Sequence, residues 1–174
     1  IDIPAAVAAA QASDVVVACL GEPAYCETPG NIDDLALDEA QIQLVDALAA
    51  SGKPIVVVLA EGRPRLIHRI VEKVQGILAA FLPGLEGGRA TAEILFGDAV
   101  PSGKLPVTYP KFPNALGTYD GKATEVLDGN TYDPEFPFGF GLSYTTFEYS
   151  DLTLASASMS MGGSLGVQVR VKNS

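Results

Sequence analysis

Three short apolar runs, Val15 to Leu20, Ile55 to Ala60 and Gly76 to Phe81, recur along the chain with helix-patterned segments between them. A continuous apolar run, rich in β-branched residues, marks a strand buried on both faces. Parallel strands need crossover connections, and a helix is the usual one. Ala5 to Ala12 reads as the end of a helix. Asp38 opens another, with Gln41 three residues on in the pattern of a capping box. Ile42, Val45, Leu48 and Ala49 keep helical spacing, and Gly52 is a fitting stop. Arg65 to Lys73 reads as a short helix or turn, and Arg89 to Phe96 as a helix stopped by Gly97. This β–α–β–α–β–α order predicts an α/β fold whose three strands are adjacent, parallel and aligned at one edge.

The character changes after residue 97. GDAVPSGKLPVTYPKFPN is punctuated by Pro and Gly, with a short strand expected at Lys104 to Thr108. Residues 111 to 141 have little periodicity, which is long for a structureless connection; such a stretch is either functional or pinned to another surface. Ser143 to Leu154 and Leu165 to Val171 alternate like strands of an antiparallel sandwich, although two strands alone do not make a stable sheet.

Composition removes several function classes. With 21 acidic against 11 basic residues the net charge is −10, so no nucleic-acid partner is expected. The apolar runs are far too short to span a bilayer, and no membrane partner is expected. The start of the chain shows no basic leader and carries no targeting information. Cys19 sits in a core strand as a small hydrophobe, Cys26 lies in a loop, and the single His68 lies in another segment. They make no metal site, and no cofactor is expected.

The candidate chemistry follows the strand ends, where open α/β sheets bind ligands. GEPAYCETPGN, residues 21 to 31, places Glu22 and Glu27 after the first strand. AEGRPR places Glu61 and Arg63 after the second, and LPGLEGG follows the third. A carboxylic acid with a pKa raised by burial or by a neighbouring carboxylate can act as a general acid. A pair of carboxylates flanking a bond is what glycoside hydrolysis requires. The plainer reading of loop acids is solvation, and it suits Asp33, Asp34 and Asp38. Glu61 and Arg63 are close enough in sequence to be a structural ion pair that fixes a loop. His68 reads as a satisfied or surface residue. GLEGGRA lacks the Lys-Ser/Thr pair of a phosphate loop, so its glycines are assigned to tight packing.

Four segments, VVVACLGEPAYCETPGN, SGKPIVVVLAEGRPRLI, ILAAFLPGLEGGRATAEILFGDAVPSGKLPVTYP and FPFGFGLSYTTFEYS, resemble the C-terminal part of family-3 glycoside hydrolases. These are the β-glucosidases and exo-β-glucanases. The resemblance implies a (β/α)8 barrel, then an (α/β)6 sandwich, then often a fibronectin type III-like domain. Residues 1–146 would be part of the sandwich with a mainly parallel sheet, and residues 147–174 the first strands of the fibronectin-like unit. The chain would then be a fragment that lacks the barrel, and the barrel would be its partner within the same enzyme.

By the same resemblance, the enzyme cleaves terminal β-D-glucosyl residues with retention, using an Asp nucleophile on the barrel and a Glu acid/base on the sandwich. YCET holds the place of a Y-T-E-T motif, which makes Glu27 the acid/base. GEP aligns with a G-E-G motif of other members, which makes Glu22 the runner-up or a carboxylate tuning its neighbour. Tyr25 is expected to stack on a sugar ring. The expected partner molecule is a β-glucoside or β-glucan oligosaccharide, and a homodimer is a further expectation. The fragment alone is expected to be inactive. The alternative is a non-catalytic carbohydrate-binding or interaction module. A periplasmic or secreted location is compatible with the resemblance, which leaves the compartment unknown.

Overall fold

The computed structural model describes residues 1–113 and 133–174. Its elements are α1 (Ile3–Gln11), β1 (Val16–Gly21), α2 (Glu39–Ala49), β2 (Ile55–Ala60), α3 (His68–Val71), β3 (Gly76–Ala79), α4 (Gly87–Phe96), β4 (Phe147–Leu154) and β5 (Val167–Asn173). β1, β2 and β3 form one parallel sheet in that order, with Val16 opposite Ile55 and Val56 opposite Gly76. The expected parallel arrangement is therefore found. Backbone bonds continue past the strand ends, from Glu22 N–H to Ala60 O and from Glu61 N–H to Phe81 O. The three following loops leave the sheet at one edge.

The core lies on one face of this sheet. Ile55, Val57 and Leu59 have no exposed surface, and they cluster with Ile42, Val45 and Leu48 of α2 and Ile70 of α3. Strand alternation aims the odd-numbered residues of β2 at these helices. β1 departs from the expectation of burial on both faces. Ala18 and Leu20 are buried, but Val17 is 49% exposed and Cys19 is also exposed. The helices that cover the sheet's core pack on the Ala18 and Leu20 side, so the apolar character of Val17 and Cys19 does not produce burial.

The capping box at α2 is also corrected. The Asp38 carboxylate caps the helix by accepting from Ala40 N–H at 3.0 Å. The Gln41 side chain turns away from the cap to the end of β1. Its Oε1 accepts from Gly21 N–H and its Nε2 donates to Gly21 O, both at 2.8 Å. β1 is an outer strand of this sheet, and the Gln41 amide completes the pairing that its last residue lacks. Glycine is required at 21 because a Cβ there would run into the Ala60 carbonyl.

The turn before α4 bears out the packing role at Gly87 alone; Gly84 instead takes φ 67°, and Gly88 has open space around it. A Cβ on Gly87 would collide with Pro83, and Gly97 ends the helix at φ 83°. Lys104 to Thr108 does not form the expected strand. It instead makes scattered bonds with a second extended segment: Leu105 N–H to Phe140 O, Gly139 N–H to Leu105 O, Tyr109 N–H to Phe136 O and Glu135 N–H to Tyr109 O. Pro106 has no N–H to give, which prevents a continuous ladder. Within the stretch 111 to 141, the described residues 133–141 are thus pinned to this segment, and residues 114–132 lie outside the described residues. β4 and β5 pair antiparallel, with an irregularity between Ser150 and Thr153, and every residue in them is exposed.

Gln41→Ala leaves both polar groups of Gly21 without their partner. An unpaired, part-buried backbone group costs about 1–3 kcal/mol. Urea unfolding of the variant should show a lower midpoint with an unchanged slope. An unchanged midpoint would mean that the amide clamp does not hold the end of β1.

Candidate active site

The loop after β1 is long, and two arginines from the loop after β2 hold it. Glu22 lies at its root with only 3% of its side chain exposed. Its Oε1 is 2.9 Å from Arg65 Nε and 3.3 Å from Arg63 Nε. The Arg65 contact is out of line for a hydrogen bond, so it acts as a Coulombic attraction. Glu22 Oε2 accepts from Gly62 N–H at 2.9 Å and from the Tyr25 hydroxyl at 3.1 Å. Burial pushes the Glu22 pKa up, but the bonds from Gly62 and Tyr25 and the charges of Arg65 and Arg63 more than offset it. The net result lies below the ordinary value of 4.5. Each arginine also reaches across to the loop backbone: Arg63 donates to Gly30 O at 2.7 Å and Arg65 to Asp34 O at 2.8 Å.

Tyr25 is built into the same anchor. Arg63 Nε donates to its hydroxyl at 3.1 Å, and the guanidinium carbon sits 4.2 Å from the ring centroid. At that distance the contact is a cation–π interaction. Gly30 and Gly62 leave the space that the ring fills, since a Cβ on either would strike it. One face of the ring therefore carries Arg63, and a sugar would have to use the other.

Glu27 is placed differently. It precedes a 3-10 turn, Thr28–Gly30, and its backbone has φ 50° and ψ −134°. A non-glycine residue in such a region costs on the order of 1–3 kcal/mol. Its side chain is exposed and has no hydrogen bond or ion pair among the described residues. Glu22 and Glu27 thus share a loop but make no bond to one another.

The ion pair expected between Glu61 and Arg63 does not form. Glu61 continues the inward alternation of Ile55, Val57 and Leu59 and is 1% exposed, while Arg63 pairs with Glu22. Glu61 Oε1 accepts from the Tyr109 hydroxyl at 2.7 Å, and Oε2 has no well-formed hydrogen bond. Burial raises the Glu61 pKa from 4.5 to about 6, against the hydrogen bonds from Tyr109 and the Arg65 backbone, with a further push from Glu22. Burial and the Glu61 charge likewise hold the Tyr109 phenol above its ordinary range. His68 is satisfied, with Nδ1 2.9 Å from Glu135 Oε2 and the ring edge-on to Phe112. Among the described residues no His/Cys/Asp/Glu cluster could hold a metal ion, and no helix is long and apolar enough to cross a membrane.

Sequence reasoning missed Arg65 and Tyr109. Arg65 had a local signal, since it repeats the basic character of Arg63 two residues on. Tyr109 had none, because its partner is 48 residues away.

The profile of the glycosyl hydrolase family 3 C-terminal domain matches residues 1–144. The chain is 46% identical over 156 residues to a lysosomal beta glucosidase of Dictyostelium discoideum, covering 88% of this chain and 19% of that protein. It is 40% identical over 182 residues to a beta-xylosidase of Formosa agariphila, covering 98% of this chain and 25% of that protein. A beta-glucosidase from Listeria innocua, solved in complex with glucose, superposes with a TM-score of 0.87 at 34% identity, covering 99% of this chain and 26% of that one. The chain thus spans about a fifth to a quarter of the length of the curated relatives it matches.

Glu22→Gln removes the charge that both guanidiniums face. At pH 7 the loss should destabilise the chain by about 1–3 kcal/mol, the range for stranding a buried partner. The folded Glu22 pKa lies below 4.5, so its contribution is present above that pH and fades as pH falls through the depressed value. Denaturation curves of wild type and variant should therefore converge in acid. A gap that stays constant down to pH 3 would show that the ion pair is not its source.

Proposed function

The chain belongs to glycosyl hydrolase family 3, and from that membership we propose that it supplies the acid/base loop of a retaining β-glycosidase, with Glu27 as the acid/base. One contrast carries the assignment. Glu22 is held ionised by two guanidiniums, whereas the Glu27 carboxylate is exposed and uncommitted. A general acid must release a proton and later recover one, and a carboxylate locked in an ion pair is poorly suited to both. Glu22 then serves as the organiser of the loop, together with Arg63 and Arg65. Tyr25 is assigned to the loop anchor, with its remaining ring face available to a sugar.

The nucleophile in this reading is an Asp on a barrel domain of the same enzyme. Glu27 protonates the glycosidic oxygen as the aglycone leaves and the anomeric carbon bonds to that Asp. The Glu27 carboxylate then takes a proton from water, whose oxygen attacks the anomeric carbon and frees the Asp. The relatives' names support terminal β-glucosides as the substrate class, with β-xylosides second. Residues 1–146 would be part of the (α/β)6 sandwich. β4 and β5, which lie beyond the matched residues, would begin a fibronectin type III-like unit. The uncovered face of β1 and the exposed β4–β5 pair offer surfaces on which the rest of such an enzyme, or a second copy, would pack. A non-catalytic sugar-binding module has less support, because the relatives are named as glycosidases.

Two measurements test the reading. The isolated chain should not release nitrophenol from an aryl β-glucoside above the buffer rate, since it supplies only half of a retaining pair. In the intact glycosidase, Glu27→Gln should slow cleavage of natural glucosides by roughly 10²-fold or more. Azide should restore turnover of an activated aryl glucoside and yield the β-glycosyl azide. If Glu22→Gln shows that rescue and Glu27→Gln does not, Glu22 is the acid/base. Rescue in neither variant would place the acid/base outside this loop.

A further inference from the structure

We propose that Glu61 is a positioning residue for the acid loop: its buried carboxyl, hydrogen-bonded to Tyr109 beside the Arg63 and Arg65 anchor, makes the hold on residues 22–34 depend on its charge. The role rests on Glu27 being the acid/base, but its structural basis is independent of that assignment.

Glu61 is inside the protein and yet incompletely partnered. The Tyr109 hydroxyl donates to one oxygen, and the other has no well-formed bond. The groups that face it come from every neighbouring segment. Tyr109 belongs to the segment pinned to residues 135–140, and Glu135 acts in turn on Tyr109. Glu22 comes from the end of β1 and repels an ionised Glu61. Arg65, from the loop after β2, attracts it and also offers its backbone N–H. Arg65 is the same residue whose side chain pairs with Glu22 and grips Asp34 O. A negative charge on Glu61 therefore acts on the arginine that pins the loop, and it opposes the carboxylate that the arginine already serves.

The sign of the effect follows from the burial. Glu61 keeps its proton up to about pH 6 in the closed structure, against 4.5 when freed. Below pH 4.5 the neutral acid favours the closed loop; as pH rises through 6 the buried charge favours opening. One pKa unit is a tenfold change in an equilibrium, so the raise from 4.5 to about 6 corresponds to an increase in opening of up to roughly 30-fold.

Amide hydrogen exchange of residues 22–34 in this chain, followed by mass spectrometry between pH 4.5 and 7.5 and corrected for the intrinsic rate, reads that opening. Wild type should lose protection as pH rises through about 6. Glu61→Gln should abolish the step. Tyr109→Phe should move its midpoint upward, because the phenol's hydrogen bond favours the ionised carboxylate. A flat wild-type profile, or a step that survives Glu61→Gln, overturns the proposal. If Glu61→Gln does not fold, Tyr109→Phe decides alone, and an unmoved midpoint overturns it. The exchange step does not involve Glu27, so a failed azide rescue would refute the assigned function while leaving this result standing.

Discussion

One carboxylate between two guanidiniums joins the ends of neighbouring strands, and the geometry of the whole site depends on it. Glu22 leaves β1, while Arg63 and Arg65 leave β2. Exposed ion pairs of this kind contribute little. Here the carboxylate is shielded, and its second oxygen is filled by Gly62 N–H and Tyr25. The remaining donors of each arginine then reach loop carbonyls, at Gly30 and Asp34. A loop with only one short helical turn thus gains fixed points without needing a core of its own.

The sheet below supplies the alignment that makes this possible. Its parallel register brings the carboxyl ends of β1 and β2 level, so that Glu22 and Gly62 meet across the edge. Gln41 holds the last residue of β1 in line from the helix side. The division between Glu22 and Glu27 follows from distance along the loop. The residue next to the sheet is captured by the arginines, and the one farther out stays open to solvent.

The sheet and most helices were legible in the sequence because their signals are local. Apolar runs and helical spacing fixed all three parallel strands, and Asp38 and Gly97 marked the helix ends where the structure has them. What escaped was set by partners distant in sequence. Gln41 fits a capping pattern, but its bonds go to Gly21, 20 residues back. Arg63 seemed matched to nearby Glu61, yet strand alternation turns Glu61 inward and leaves Arg63 for Glu22. Tyr109 carries no motif at all. An apolar run also cannot say what covers it: this chain's own helices cover the Ala18 and Leu20 face of β1 and leave the Val17 and Cys19 face open. At Lys104 to Thr108 the strand pattern was overruled by Pro106.

The backbone at Glu27 has an evolutionary consequence. Its φ of 50° and ψ of −134° lie where glycine is comfortable and other residues are strained. A selection for thermostability alone would drive this position toward glycine, because relief of the strain needs no other change in the loop. Under the acid/base role proposed for Glu27, a selection for turnover would keep the carboxylate and tolerate the strain. Lineages that retain the scaffold for binding rather than chemistry would be recognised by which residue they settle on here.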